Sequence, residues 1–432
     1  MAERTANRLS IFAQWFGVLA TAWVLLDSLL TYFLKHWVGF LPPVNALLIV
    51  ILAVILLTWG VRVILPPAHI TVLLIVAAFG MIGAKVFYGD LEMNQLGAIA
   101  LSLSAFFVAF FAFRWSDSAE LFRNVFLTVA FTYVAVCVIA LLKVSPSLFP
   151  VINAVWSDKG VLELRPEVTT DQNFQIYYLL PLALLITLPF KPVRSTLVLL
   201  GIIGALFVLA KLQTRSGVLV FGATVAMALA APFWTSSLGR RKVFLLPLIL
   251  LAAAAINYNV ILHAGTLLID RFHDSDNTAY SRWIAFMFTV RHIADPAWWL
   301  PRGTTEFVNL YGYVPHSNIT AMYVEGGLLG LVMWVVVFVV PLVALARLFL
   351  QRKLDDLATL VLLGGVASMV IQLSLNVPFF KQPWLWAGAV VGTLTRVRAD
   401  LVSPGKEEVT QPIGVAKKSK MLVRYAKMEK TL

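Results

Sequence analysis

The sequence predicts an all-α, polytopic integral membrane protein with about 12 transmembrane helices. Three observations predict it. Of 432 residues, 60% are hydrophobic and only 13% are charged, whereas a water-soluble domain is about half apolar and about a quarter charged. The mean hydropathy is +0.86. Apolar runs of about 17 to 25 residues recur along the chain, each long enough to cross roughly 30 Å of hydrocarbon.

Taken in order, the runs place spans at 11–34, 44–61, 68–87, 94–113, 124–142, 173–190, 195–211, 217–233, 243–263, 317–346, 356–376 and 383–396. Prolines punctuate the turns between them: Pro42-Pro43, Pro66-Pro67, Pro189 with Pro192, and Pro378 with Pro383. The first run has no small-residue cleavage site and reads as a retained helix. No internal repeat or low-complexity segment is visible. Residues 1–400 form one transmembrane domain, and 401–432 form a basic tail, expected to be disordered and to touch anionic lipid.

An even number of spans puts both termini on one side. The clusters Arg240-Arg241-Lys242 and Arg347/Arg352/Lys353 fall on that same side, which the positive-inside rule makes cytoplasmic. Much of the net charge of +12 therefore serves orientation, and no nucleic-acid partner is expected. A single cysteine, Cys137, excludes an intrachain disulfide. Two long segments, about 143–172 and 264–316, lie on the outer side. The second holds Arg271, Arg282, Arg291 and Arg302, where the charge rule disfavours them.

Charges at the outer ends of spans are the candidates for chemistry. Lys85 sits late in the third span, and Lys211 and Arg215 flank a tight turn. Ionisable groups near membrane depth face a partner or a wet cavity, although an arginine can also snorkel to the headgroups. Guanidinium forks match phosphate oxygens. The turn Thr214-Arg215-Ser216-Gly217 also opens a helix whose free amides favour an anion. A phosphate-bearing lipid fits both features. His316, in Val314-Pro315-His316-Ser317-Asn318, stands where the long loop meets a span and can accept a proton near neutral pH. Its bland alternative is a residue beside a helix cap. Downstream, Glu325-Gly326-Gly327-Leu328-Leu329-Gly330 permits close helix contact.

Other signals fail. Asp274-Ser-Asp276 reads as two solvated acids, and His273 and His292 lack metal-ligand spacing. No phosphate loop or nucleophile elbow occurs. No metal and no other cofactor is expected. Asp27 is the only acid well inside a span, which weighs against a transporter built on buried acids.

Thr214-Arg215-Ser216-Gly217, Arg215 with Leu219, His316 with Gly326, and the whole stretch Pro315 to Gly330 carry a resemblance. The chain resembles the O-antigen ligase and polymerase superfamily of bacterial membrane glycosyltransferases. Arg282, in Tyr280-Ser-Arg282-Trp283, is similar to that family's loop arginine before a tryptophan. Gln172-Asn173 resembles its Gln-x-Asn type start of a helix. One element departs: Arg302 replaces the first glycine of the family's Gly-x-Gly.

The resemblance implies a GT-C-like enzyme of the inner membrane with its site facing the periplasm. It would transfer polysaccharide from undecaprenyl pyrophosphate to a sugar hydroxyl of lipid A-core, with inversion and without a metal or nucleotide sugar. His316 would be the base, and Arg215 and Arg282 would hold the pyrophosphate. Lys85, Lys211, Arg302 and Asn173 would be secondary contacts to the lipid-linked substrate. A polymerase or a protein (pilin) ligase of the same superfamily is the nearest alternative. The modest charge of 143–172 (Lys143, Lys159, Arg165) leans away from a polymerase. A secondary transporter would need repeats and broken helices near the midplane. A lipid-binding protein without catalysis would use the same arginines as phospholipid contacts.

Overall fold

A computed structural model describes residues 11–13, 15–26, 46–61, 65–88, 93–116, 119–142, 151–155, 162–166, 177, 179–180, 184, 192–211, 220–228, 276–312, 315, 317–373 and 381–402. They build a helical membrane protein. After an apolar helical stretch, Ile11–Leu26, come α1 (Ala46–Trp59), α2 (Ala68–Tyr88), α3 (Met93–Trp115) and α4 (Ala119–Leu141). A short hairpin of β1 (Val151–Val155) and β2 (Leu162–Pro166) follows, then α5 (Pro192–Lys211), α6 (Asp276–His292) and α7 (Thr304–Tyr311). Last come α8 (Asn318–Trp334), α9 (Val340–Leu350), α10 (Asp356–Gln372) and α11 (Lys381–Val402). Among the described residues, four helical stretches are long and apolar enough to cross a membrane: Ala68–Phe87, Leu96–Trp115, Glu120–Leu141 and Asn318–Leu350. The expected span 243–263 lies outside the described residues.

Both long segments between the spans contain secondary structure of their own. The segment 143–172 is not only loop: Val151 pairs with Pro166 and Val155 with Leu162 in an antiparallel ladder. Val151, Ile152 and Val155 in β1 suit a strand, as does the alternation of Leu162 and Leu164 with Glu163 and Arg165 in β2, and Pro166 is tolerated because it ends the ladder. The fold is therefore helical with a small β-hairpin. The segment 264–316 is likewise not one long loop, since it contains α6, a 3-10 turn at Pro296–Trp298 and α7. Asp295 caps that turn by accepting from the Ala297 N–H at 3.0 Å. Gly303 and Gly312, both at positive φ, bracket α7.

Close contact between α3 and α11 organises the interior. The two helices run in the same direction, with Gly388 of α11 against the Phe106 carbonyl and Gly392 against that of Phe110. A Cβ at Gly388 would collide with that carbonyl, so the small-xxx-small spacing brings the backbones together. Trp384 fills the adjoining space against Phe106 and Phe338. Gly388→Ala is expected to cost about 1–3 kcal/mol by overpacking. Gly97→Ala on the same α3, where an added Cβ meets nothing within 4 Å, is expected to cost nothing. Thermal midpoints in detergent compare the two.

The two ends of the bundle differ in charge. At one end the Arg114 Nη1 donates to the Leu65 carbonyl at 3.4 Å, and Arg396 pairs with Asp355 at 2.9 Å. At the other end Lys85, late in α2, pairs with Glu325 of α8 at 3.2 Å. Helix α8 runs on through a π turn, Val335–Val339, into α9. Pro341 has no N–H to donate, and the helix widens just before it.

Candidate functional site

The polar end marked by Lys85 is built around an interruption in α8. The helix begins after Ser317, whose extended backbone (φ −150°, ψ 131°) occupies the cap position. It is broken at Gly327, with φ 61° and ψ −155°, a combination that is essentially glycine-only. In an unbroken helix the Leu328 N–H would bond the Val324 carbonyl. Here each takes another partner. Leu328 donates to the Trp299 carbonyl at 2.9 Å, while the Val324 carbonyl accepts from Arg302 at 3.0 Å and Gly303 at 3.1 Å. The segment 299–303 thus docks into the break and satisfies what the break exposes. Gly330 is also needed for close approach, because after the bend a side chain there would strike the Met322 carbonyl.

Glu325 sits two residues before the break. One carboxylate oxygen accepts from the Thr304 hydroxyl at 2.8 Å, and the other faces Lys85 Nζ at 3.2 Å. This carboxylate ties α2, α7 and α8 together. Arg302 is engaged differently. Its Nε donates to the Ala297 carbonyl at 2.7 Å, its Nη1 meets Glu306 at 2.5 Å, and its guanidinium lies 4.9 Å over the Trp298 ring. Lys85 and Arg302 are therefore each compensated by a carboxylate. An anionic ligand would have to compete with Glu325 for Lys85 and with Glu306 for Arg302.

Helix α6 packs beside α8. The Thr320 hydroxyl donates to the Ala285 carbonyl at 2.8 Å and lies 3.0 Å from the Thr289 hydroxyl. The Tyr323 hydroxyl donates to the His292 carbonyl at 2.6 Å. Contacts advance together along both chains, so α6 and α8 run in the same direction. Phe288, Trp298, Phe307 and Tyr323 form the apolar cluster beneath. His292 belongs to this scaffold: it stacks on Phe288 and its Nδ1 lies 2.9 Å from the Phe288 carbonyl.

The backbone of Arg282 lies in α6, one turn before Ala285. Its side chain, that of Lys211, and all of Arg215, His316 and Asn173 lie outside the described residues. A scan against protein-family models gives no match, and a search of curated proteins gives none. Among the described residues no group of three His, Cys, Asp or Glu side chains could hold a metal ion.

Sequence reasoning missed three residues here. Glu325 and Thr304 were missed because nothing local pairs residues so distant in the chain. The third is Asn318, 1% exposed at the start of α8, with neither amide atom bonded to any described residue. A buried amide with unused donors and acceptors is costly, and its position directly after Ser317 was the available signal.

Proposed function

We propose that this chain is a membrane glycosyltransferase of the O-antigen ligase type, with about twelve spans in a GT-C-like arrangement. It moves polysaccharide from undecaprenyl pyrophosphate to a sugar hydroxyl of lipid A-core. The basic end, with Arg114, Arg352, Lys353 and Arg396, is the cytoplasmic one by the positive-inside rule, and the Lys85 end faces the periplasm. Both termini are cytoplasmic, in the inner membrane.

One observation carries the reading. The stretch most like the superfamily, Pro315 to Gly330, leads into a helix broken at Gly327 and paired in the same direction with the helix that bears Arg282. Ser317, which follows His316, holds the cap position at the start of α8, and Thr320 in its first turn bonds Ala285, one turn after Arg282 in the middle of α6. This supports a pocket shared by an imidazole and a guanidinium. In the proposed reaction His316 takes the proton from the acceptor hydroxyl as its oxygen bonds to the anomeric carbon. The bond from that carbon to the phosphate oxygen breaks, and undecaprenyl pyrophosphate leaves with the electron pair. Arg215 and Arg282 stabilise the charge gathering on it. Lys85, released from Glu325, is a further cation within the same end of the bundle.

The test is transfer by the purified full chain, with lipid-linked polysaccharide as donor and lipid A-core as acceptor. His316→Ala and Arg215→Ala are each expected to lower turnover at least about a hundred-fold. Unchanged turnover in both sinks the assignment. Transfer to a second lipid-linked sugar chain, with none to lipid A-core, replaces the ligase with a polymerase.

A further inference from the structure

The segment that docks at Gly327 carries apolar side chains that the protein leaves uncovered. Trp299 is 46% exposed and Leu300 73%, and Ile293 beside them is also exposed. The stretch Asn318–Leu350 has 33 residues and is divided by the break at Gly327. Its far end is bracketed by Arg347, Arg352 and Lys353. The part after Gly327 alone covers about 35 Å, so Gly327 stands at the opposite hydrocarbon boundary.

Helix α2 gives the same level independently. It starts at Ala68 and reaches Lys85 after about 26 Å, and Lys85 meets Glu325 next to the break. Near the end of α2, Val86 and Phe87 are exposed as well. They continue the lipid-facing surface of α2 formed by Val72, Ile75, Val76 and Phe79. Trp299, through its carbonyl, and Arg302 and Gly303, through their N–H groups, are bonded to this level on either side of Leu300. Tryptophan favours that depth, with its ring in the apolar edge and its N–H satisfied. The Trp299 Nε1 already donates to the Ile293 carbonyl at 3.0 Å.

We propose that residues 293–302 form a strap lying in the membrane interface, with Trp299 and Leu300 inserted into the hydrocarbon edge of the leaflet at the Lys85 end. The occupant of this apolar surface is lipid. Arg302, held by Ala297 and Glu306, stays at headgroup level, and α7 stands beyond it in water. The strap anchors the interrupted helix at a fixed depth, which holds whatever reaction the protein performs.

Because Cys137 is the only cysteine and is buried, single-site labelling reads the depth directly. A small environment-sensitive fluorophore is placed at Leu300→Cys, Ile293→Cys and, as the water-facing comparison, Asn309→Cys, all in a Cys137→Ala background. The full chain is reconstituted in nanodiscs of phosphatidylcholine and phosphatidylglycerol. Lipid brominated near the carbonyl end of its acyl chains is expected to quench positions 300 and 293 at least about three-fold more than 309. Aqueous iodide is expected to show the reverse order. A label at 300 that iodide quenches as well as it does at 309, or that brominated lipid quenches no better than at 309, overturns the proposal.

Discussion

Gly327→Ala is expected to destabilise the protein by at least about 3 kcal/mol, through strain at a glycine-only backbone conformation and loss of hydrogen bonds worth about 1 kcal/mol each. The Cβ would strike the Trp299 carbonyl oxygen and stand 2.9 Å from both the Leu300 carbonyl carbon and the Pro301 nitrogen. These are backbone atoms, so no rotamer change relieves the contact. The strap must move, and three backbone bonds go with it: Leu328 to Trp299, and Arg302 and Gly303 to Val324. Straightening α8 instead would restore the bond from Leu328 to Val324 but leave the strap without partners.

Neighbouring glycines supply the comparison. A Cβ at Gly326 would meet only the Met81 side chain, at 3.2 and 3.3 Å, and a thioether chain can shift. Gly83, in the same end of α2, has nothing within 4 Å and is expected to accept alanine with no loss or a small gain in helix stability. Unfolding of all three variants in detergent should rank Gly327→Ala far below Gly326→Ala, with Gly83→Ala at or above the parent. If Gly327→Ala unfolds with the parent, the break is not required by the fold, and the depth argument for the strap loses its fixed point.

The long apolar runs made the spans legible. The runs 68–87 and 94–113 became Ala68–Tyr88 and Met93–Trp115, because uninterrupted hydrocarbon-length runs leave the backbone no other way to bond itself. Boundaries slipped where charged residues extend a helix past the hydrocarbon. Helix α4 starts before 124 because Glu120 and Arg123 pair across its first turn at 2.7 Å. Helix α11 runs past 396 to Val402 although Arg396, Arg398 and Asp400 end the apolar run. Helix α6 was not legible, since Asn277, Thr278, Ser281 and Arg282 interrupt any apolar period, and it is held by tertiary contact with α8. At the site, the glycine-rich stretch after Glu325 was legible as a place of close packing. That its partner is a backbone strap was not, because hydrogen bonds between distant main-chain groups leave no mark on residue identity. The cations Lys85 and Arg302 could be picked by charge and position, whereas the carboxylates that hold them depend on how α2, α7 and α8 come together.

At the basic end, Asp355→Ala is expected to cost about 3–5 kcal/mol, the scale for stripping the partner from a buried charge. The Arg396 side chain is 1% exposed and its Nη2 lies 2.9 Å from the Asp355 carboxylate, whereas the Asp355 side chain is 53% exposed. The two partners therefore stand in different surroundings, and removing one is not equivalent to removing the other. Without Asp355 a guanidinium is left buried, and its Nε already lacks a partner among the described residues. The same carboxylate caps α10 by accepting from the Ala358 N–H at 2.7 Å, so its loss also removes a cap worth about 1 kcal/mol. Without Arg396, Asp355 remains hydrated and still caps the helix, so Arg396→Leu is expected to be close to neutral. The double variant should recover most of what Asp355→Ala loses, leaving only the cost of the cap. Unfolding free energies of the four proteins in detergent decide it. Equal losses from the two single variants, or a double variant no better than Asp355→Ala, would show that the buried charge is not what makes Asp355 necessary.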